Sequence, residues 1–399
     1  MNNLPALLGN NPTFQEKLPL TKPVLPDFEI LAEGLRPIFE TGILTKGDHV
    51  DRLEEKIALE LGVRHVIAVS SCTAGLMLTY RALNLSGDVI VPSFTFMATV
   101  SAMVWANLRP VFVDVDPHTG TLDARRVEAA ITRDTSAIVA VHNFGNPADI
   151  QELQEIAGRR GLRLIFDAAH GAGSRYQGSP LGAQGDAQVF SLSPSKLVVA
   201  GEGGIIATNH RLVADTLRIG REYGNCGNYD SSFAGLNARM PEFNALLARE
   251  SLQGLESAVQ KRNAAASAYQ NGLSHLPGIG FQTVRPGNRS SYNMFSITVS
   301  AREFGLTRDE LAATLAAENI DTRSYYDPPV HRQSAYKHFV GPNAELANTD
   351  LLSATSLCLP ISSNVSMSVV EGVCQAIDLA YKFAPELRAK LALSSLALV

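Results

Sequence analysis

Six short apolar runs, at 66–69, 88–91, 110–114, 137–142, 162–167 and 187–192, punctuate the first half of this chain, and stretches with helical periodicity separate most of them. Runs apolar at consecutive positions suit strands buried on both faces. Their alternation with helices points to an α/β fold, a largely parallel sheet covered by helices on either side. The segment Asp48-His-Val-Asp-Arg-Leu-Glu-Glu-Lys-Ile-Ala-Leu-Glu-Leu61 places Val50, Leu53, Ile57 and Leu61 on one helical face, with Asp48 as the expected N-cap. Beyond about residue 250 the alternation weakens. There 251–273 reads as one long helix, and 292–299 as a strand lying among helices.

The expected organisation is an N-terminal arm over 1–27, a large domain over 28–250 and a smaller C-terminal domain over 251–399, ending in a Ser/Leu/Ala-rich tail. With 399 residues, 45% of them hydrophobic, the chain has material for two cores. A net charge of -5 and a pI near 6.0 offer no basic footprint for nucleic acid. Cys72, Cys226, Cys358 and Cys374 lack metal-site spacing and are too few for a disulfide scaffold, and no apolar run approaches roughly 18 residues. The expectation is a reduced cytoplasmic protein, with small molecules and other subunits as partners and neither nucleic acid nor membrane.

Chemistry concentrates around one lysine. Lys196 closes Phe-Ser-Leu-Ser-Pro-Ser-Lys196, 29 residues after the aspartate of Leu-Ile-Phe-Asp167-Ala-Ala-His170, and Gly203-Gly204 follows. A lysine amine at a strand end, partly desolvated, is suited to form a Schiff base with the aldehyde of pyridoxal phosphate, and a carboxylate suits the pyridinium nitrogen of that cofactor. Ser70-Ser-Cys-Thr-Ala-Gly75, between a strand and a helix through Leu76 and Tyr80, is a candidate phosphate cradle, although the same residues also serve as ordinary capping. Phe96 is either a ring-stacking aromatic or a core residue. His142 is given a supporting, site-lining role. His170 is a candidate partner of the cofactor's ring hydroxyl, and its spacing from Asp167 equally suits a helix cap.

These residues, taken in order, resemble the DegT/DnrJ/EryC1/StrS sugar aminotransferases, from about residue 30 to 385. The resemblance is carried by Thr41-Gly-Ile-Leu-Thr-Lys-Gly47, Ser70-Ser-Cys-Thr73, Pro92-Ser-Phe-Thr-Phe96, Val111-Phe-Val-Asp114, His142-Asn-Phe-Gly145, Asp167-Ala-Ala-His170, Phe190-Ser191, Lys196, Gly201-Glu-Gly-Gly204 and Gly235-Leu-Asn-Ala-Arg-Met240. It implies a fold-type I pyridoxal phosphate enzyme with a mostly parallel seven-stranded sheet and a smaller C-terminal α+β domain. It further implies Lys196 as the Schiff-base lysine and Asp167 at the pyridine nitrogen, with His170 near the ring hydroxyl and Phe96 stacked on the ring. Thr73, Ala74 and Ser191 fall at the family's phosphate ligands. Asn237 falls where the family reaches the phosphate from a neighbouring subunit, which implies a homodimer with shared active sites. Cys72 replaces a common glycine before the threonine, and Phe166 stands where an acidic residue often precedes the aspartate.

The implied reaction moves an amino group from L-glutamate to a nucleotide-linked keto-sugar by ping-pong kinetics. The segment Thr322-Arg-Ser-Tyr-Tyr-Asp-Pro-Pro-Val-His331 looks more like members acting at C4 of a 4-keto-6-deoxy sugar than at C3, with Tyr325, Tyr326 and His331 as candidate sugar contacts or as simple packing residues. A donor carboxylate needs a cation, and Arg221, Arg239 and Arg323 are the candidates. Retained Lys196 argues against a dehydratase of the same fold, and the absence of a DNA-binding segment argues against a regulatory protein. A 3-keto-sugar or cyclitol aminotransferase stays open.

Overall fold

The computed structural model describes residues 4–341 and 344–396. Strands β1 (His65–Val69), β2 (Asp88–Pro92), β3 (Arg109–Val113), β4 (Thr135–Val141) and β5 (Arg163–Asp167) are followed by a small hairpin, β6 (Arg175–Tyr176) with β7 (Ser179–Pro180), then by β8 (Ala187–Ser191) and β9 (Gly204–Thr208). Without the hairpin they form a seven-stranded sheet in the order β1-β9-β8-β5-β4-β2-β3. Only β9 is reversed, antiparallel to both β1 and β8, and the other pairings are parallel. Six strands therefore deliver their C-terminal ends to one edge. All six correspond to the apolar runs of the sequence. The seventh, β9, escaped that reading because it begins on the second residue of a glycine pair and carries no helix before it.

Both faces of this sheet are buried, which is why its strands read as continuous apolar runs. Ile67, Val69, Val89, Val91, Ala137, Val139 and Ile165 face one core. Val66, Ala68, Ile90, Ile138, Ala140, Leu164 and Phe166 face the other. Each fully buried aliphatic or aromatic side chain contributes about 1.5–3 kcal/mol, so the two faces together dominate the stability of this layer. Among the described residues, no helix is long and apolar enough to cross a membrane.

Past the sheet, β10 (Ile279–Phe281), β11 (Phe295–Val299) and β12 (Ser356–Leu359) form an antiparallel three-stranded sheet. Helices Arg308–Ala317 and Met367–Lys382 cover it, and Leu7, Leu8, Phe14 and Leu18 from the start of the chain pack on the same core. Glu318 ties that N-terminal segment down by accepting from the backbone N–H groups of Ala6 and Thr13. The tail forms helix Ala384–Leu396.

Two helix expectations change. The long helix runs over Leu255–Leu273, and residues 251 and 252 belong to the preceding helix, Glu242–Leu252, because the chain turns at Gln253-Gly254. Its first turns, through Leu255 and Val259, pack on the sheet, and its later residues Ala265, Tyr269 and Leu273 pack in the C-terminal core. One rigid helix thus joins both cores.

The second change concerns Asp48. It is the first helical residue of Asp48–Leu61, Gly47 is the N-cap, and no side chain of the local sequence caps the helix. The carboxylate of buried Glu242 does so from nearly two hundred residues away, accepting from the N–H groups of Gly47 at 2.9 Å, His49 at 2.8 Å and Val50 at 3.3 Å. Periodicity cannot reveal a cap supplied by tertiary contact. Glu242→Ala leaves three donors at a helix start without an acceptor, so it is expected to destabilise the fold by about 1–3 kcal/mol. A thermal midpoint equal to that of the wild type would show that water replaces the cap without loss.

Candidate active site

Residues at the C-terminal ends of the parallel strands line a cavity of about 330 Å³. Ser71, Cys72 and Thr73 follow β1; Thr95 and Phe96 follow β2; Val141 ends β4; Asp167, Ala169 and His170 lie at and beyond β5; and Ser191, Ser193, Ser195 and Lys196 lie at and beyond the end of β8. Met294, Tyr325 and Tyr326 close it from the C-terminal part of the chain.

Asp167 lies almost wholly out of water, 4% exposed. Burial pushes its carboxyl pKa upward, against hydrogen bonds from Thr99 and the Ala169 backbone and the nearby charge of Lys196. Thr99 Oγ1 donates to Oδ2 at 2.7 Å and Ala169 N–H donates to Oδ1 at 3.0 Å. Since Thr99 spends its proton on Asp167, the 2.9 Å contact between Thr95 and Thr99 is a donation from Thr95. Thr99 was not picked out in the sequence, and Thr95 entered it only as part of the Pro92–Phe96 motif. Their i, i+4 spacing behind Pro92-Ser-Phe was the available signal.

The Lys196 side chain faces the same cavity and makes no hydrogen bond among the described residues. Burial lowers its pKa, opposed by Cys72, Asp167 and Glu202, so its amine loses the proton more readily than an exposed lysine. Glu202, exposed at the cavity, was given no role in the sequence beyond its place in the Gly201–Gly204 motif.

The start of helix Cys72–Ala82 forms a concave wall. Ser71 is its N-cap and accepts from Ala74 N–H at 3.1 Å. Thr73 and Ser191 line the cavity, whereas Ala74 itself does not. The glycine pair explains how this helix end sits so low: a Cβ at Gly204 would lie 2.6 Å from the Cys72 nitrogen, and one at Gly203 would lie 2.8 Å from Met240. Cys72 in place of a glycine is accommodated at the cavity wall, its partly buried thiol pushed well up in pKa by desolvation and by Asp167.

His170 lines the cavity beside Phe144, which donates its N–H to Nδ1 at 3.2 Å. Burial holds its pKa well below the usual value, so the ring is neutral and its proton sits on Nε2. It lies in a turn after β5 rather than at a helix cap. Phe96 is half-exposed at the start of helix Met97–Trp105, with Phe94 buried instead.

Several expectations of position do not hold within one chain. His142 is fully buried, stacked on Phe166 with centroids 4.8 Å apart, and accepts from Ala148 N–H at 3.0 Å. Alternation along the strand decides this: Val141 points to the cavity, so His142 points away. His331 pairs with Ser93 at 2.8 Å and lies 3.2 Å from Asp350, away from the cavity. Arg239 pairs with Glu222 at 2.9 Å and lies over Tyr223. Arg221 pairs with Glu54 and the Ala68 carbonyl. Arg323 pairs with Asp321 at 3.1 Å on the surface. None of these three arginines lines the cavity. Asn237, expected to act on a neighbouring subunit, is exposed and lies outside its own chain's cavity lining. Tyr326 does line it, with its hydroxyl donating to Asn143 at 3.1 Å.

A buried amine, a carboxylate held by two donors, a neutral histidine and a helix start lowered onto glycine are what pyridoxal phosphate requires, and the residues fit that cofactor. The comparisons agree. The family model of the DegT/DnrJ/EryC1/StrS aminotransferases matches residues 29–378. A dTDP-3-amino-3,4,6-trideoxy-alpha-D-glucose transaminase of Streptomyces venezuelae is 34% identical over 85% of this chain and 89% of its own. A dTDP-4-amino-4,6-dideoxy-D-glucose transaminase of Escherichia coli is 32% identical over 88% and 96%. The crystal structure of DesI in the presence of its TDP-sugar product superposes with a TM-score of 0.92 at 34% identity, over 97% of this chain and 98% of that one. NtdA of Bacillus subtilis, solved with bound pyridoxamine phosphate, gives 0.81 at 26% identity over 89% and 82%. The chain belongs to the DegT/DnrJ/EryC1/StrS aminotransferase family.

Proposed function

We propose that this pyridoxal phosphate-dependent aminotransferase moves the amino group of L-glutamate to C4 of a dTDP-4-keto-6-deoxyhexose. The observation that carries the reading is the Lys196 amine, desolvated and without a hydrogen bond among the described residues, in one cavity with Asp167. Identity of 32% to a dTDP-4-amino-4,6-dideoxy-D-glucose transaminase and the presence of Tyr325 and Tyr326 in the cavity favour a 4-keto sugar. Identity of 34% to a 3-amino-sugar transaminase keeps a 3-keto substrate as the second reading.

When bound, the cofactor supplies an aldehyde that links to amines and a ring that withdraws electrons from the adjacent carbon. Lys196 would hold that aldehyde at rest. Asp167, whose ionised form the hydrogen bonds from Thr99 and Ala169 favour, would balance a positive ring nitrogen, and Thr73 and Ser191 would take the phosphate, the Ala74 N–H being already donated to Ser71. His170 would donate from Nε2 to the ring oxygen, and Phe96 would cover the ring. Once displaced, the Lys196 amine removes the proton from the donor Cα, and in the second half-reaction it returns a proton to the carbon that becomes C4 of the product. The lowered pKa serves this directly, because a base must be free of its own proton at working pH. Ping-pong kinetics follow, since donor and acceptor occupy one site in turn. Asn237, exposed and outside its own cavity, would complete the phosphate site of a second copy.

Three outcomes test this reading. Borohydride should fix the cofactor to one peptide containing Lys196, and attachment elsewhere would refute the assignment. With glutamate and a panel of nucleotide-linked 3-keto and 4-keto sugars, product mass and proton couplings should show amination at C4; turnover of 3-keto sugars alone would transfer the assignment to C3. Thr99→Val removes a donor that favours ionised Asp167, so the carboxylate should protonate at higher pH than in the wild type. Cofactor affinity should fall about tenfold, first on the acid side. An unmoved acid limb in titrations of cofactor absorbance would remove Thr99 from the positioning of Asp167.

A further inference from the structure

Phe144 holds a backbone conformation that its own side chain disfavours. Its φ is +60° and its ψ +8°, in the left-handed region, within the short turn Asn143–Gly145 that follows β4. Crowding between Cβ and the carbonyl oxygen makes that region costly for a bulky L-residue, which stays there only where its surroundings over-determine it. Here they do. The Phe144 N–H donates to His170 Nδ1 at 3.2 Å, and its carbonyl accepts from the Met294 N–H at 3.4 Å. Its ring lies nearly parallel to that of Tyr326, with centroids 5.6 Å apart at 19°, and Phe94 meets both rings edge-on, at 6.1 and 5.4 Å. The His170 ring is nearly parallel as well, at 6.3 Å and 23°.

Phe144 is 2% exposed and does not line the cofactor cavity, whereas His170, Met294 and Tyr326, which it touches, all do. Its φ sets the angle between the peptide that carries its N–H and the peptide that follows. Both sides are fixed. Asn143 donates from its side chain to the Gly120 carbonyl at 3.2 Å, and a Cβ at Gly145 would lie 2.4 Å from Ser291 Oγ, so the chain cannot shift there. A residue unable to hold the left-handed angle must therefore swing the N–H away from His170 or break the contacts behind it. Without that donor, the neutral imidazole is free to turn or to take its other tautomer, and an acceptor then faces the cavity where a donor stood.

We infer that Phe144 is a positioning residue of the reaction: its left-handed backbone, braced by Tyr326 and Phe94, fixes the ring and the tautomer of His170 toward the ring oxygen of the cofactor. This rests on the placement of His170 at that oxygen proposed above.

Variants of the holoenzyme test it through two readings, the dissociation constant of pyridoxal phosphate and the pH midpoint of its visible absorbance. A donor at the ring oxygen stabilises negative charge there and loosens the proton that this oxygen shares with the neighbouring imine nitrogen, so loss of the donor raises the midpoint. His170→Leu removes the donor itself and should raise the midpoint by about one unit. Phe144→Val, β-branched and excluded from the left-handed region, should reproduce at least about half of that shift and weaken cofactor binding about fivefold. If it fails to fold, Phe144→Ala replaces it, since alanine keeps the steric cost of the turn and loses the ring that braces it. Phe144→Gly adopts the turn freely and Phe144→Tyr keeps turn and ring, so both should bind within about twofold of the wild type, with the midpoint unmoved. Asp167, Lys196 and Glu202, the charged groups lining the same cavity, are present in every variant. Equal shifts in Phe144→Gly and Phe144→Val would assign Phe144 to packing alone and overturn the inference, as would weaker binding in Phe144→Val at an unmoved midpoint. An unmoved midpoint in His170→Leu would refute the placement of His170 at the ring oxygen and the inference with it. A shift there and none in Phe144→Val would overturn the inference alone.

Discussion

Burial of both faces of the central sheet is the constraint from which the rest of this structure follows. A sheet covered on each side has no surface on which to present polar groups, except where its strands end. Six of seven strands end on the same edge because the single reversed strand, β9, lies between β1 and β8 and preserves their common direction. Every cavity-lining group from the large sheet comes from that edge. The same alternation that sends Val141 to the cavity buries His142 against Phe166 on the far side.

At that edge the protein holds two ionisable groups partly out of water, and their pKa shifts run in opposite senses. Burial raises the Asp167 carboxyl and lowers the Lys196 ammonium, so desolvation alone would drive both toward neutrality. For Lys196 that direction is useful, since the neutral amine is the nucleophile and base. For Asp167 it is opposed by two hydrogen bonds, because a neutral acid could not balance a positive ring nitrogen. Backbone sterics set the third element: a glycine at 204 lets a helix start descend to where a phosphate can meet its N–H groups.

Much of this was legible in the sequence. The six apolar runs located six strands, and Lys196, Asp167, His170, Thr73, Phe96, Ser191 and the tyrosine pair all line the cavity. They were legible because motif residues at strand ends are contiguous in the chain. Residues acting across the fold were not. Glu242 capping a helix that begins at Asp48 and Thr99 holding Asp167 have partners far away in the chain, and no local period marks them. The arginines at 221, 239 and 323 looked equally free in the sequence, and only their neighbours Glu54, Glu222 and Asp321 show otherwise.

The sequence by itself determined the class of sheet, the reacting lysine and its aspartate, and membership of an aminotransferase family, because apolar patterning and short motifs are local properties. Tertiary structure alone decided which cations remain without a carboxylate partner, which histidine faces the cavity and which carboxylate caps which helix. Those depend on distances between segments brought together only when both faces of the sheet are buried.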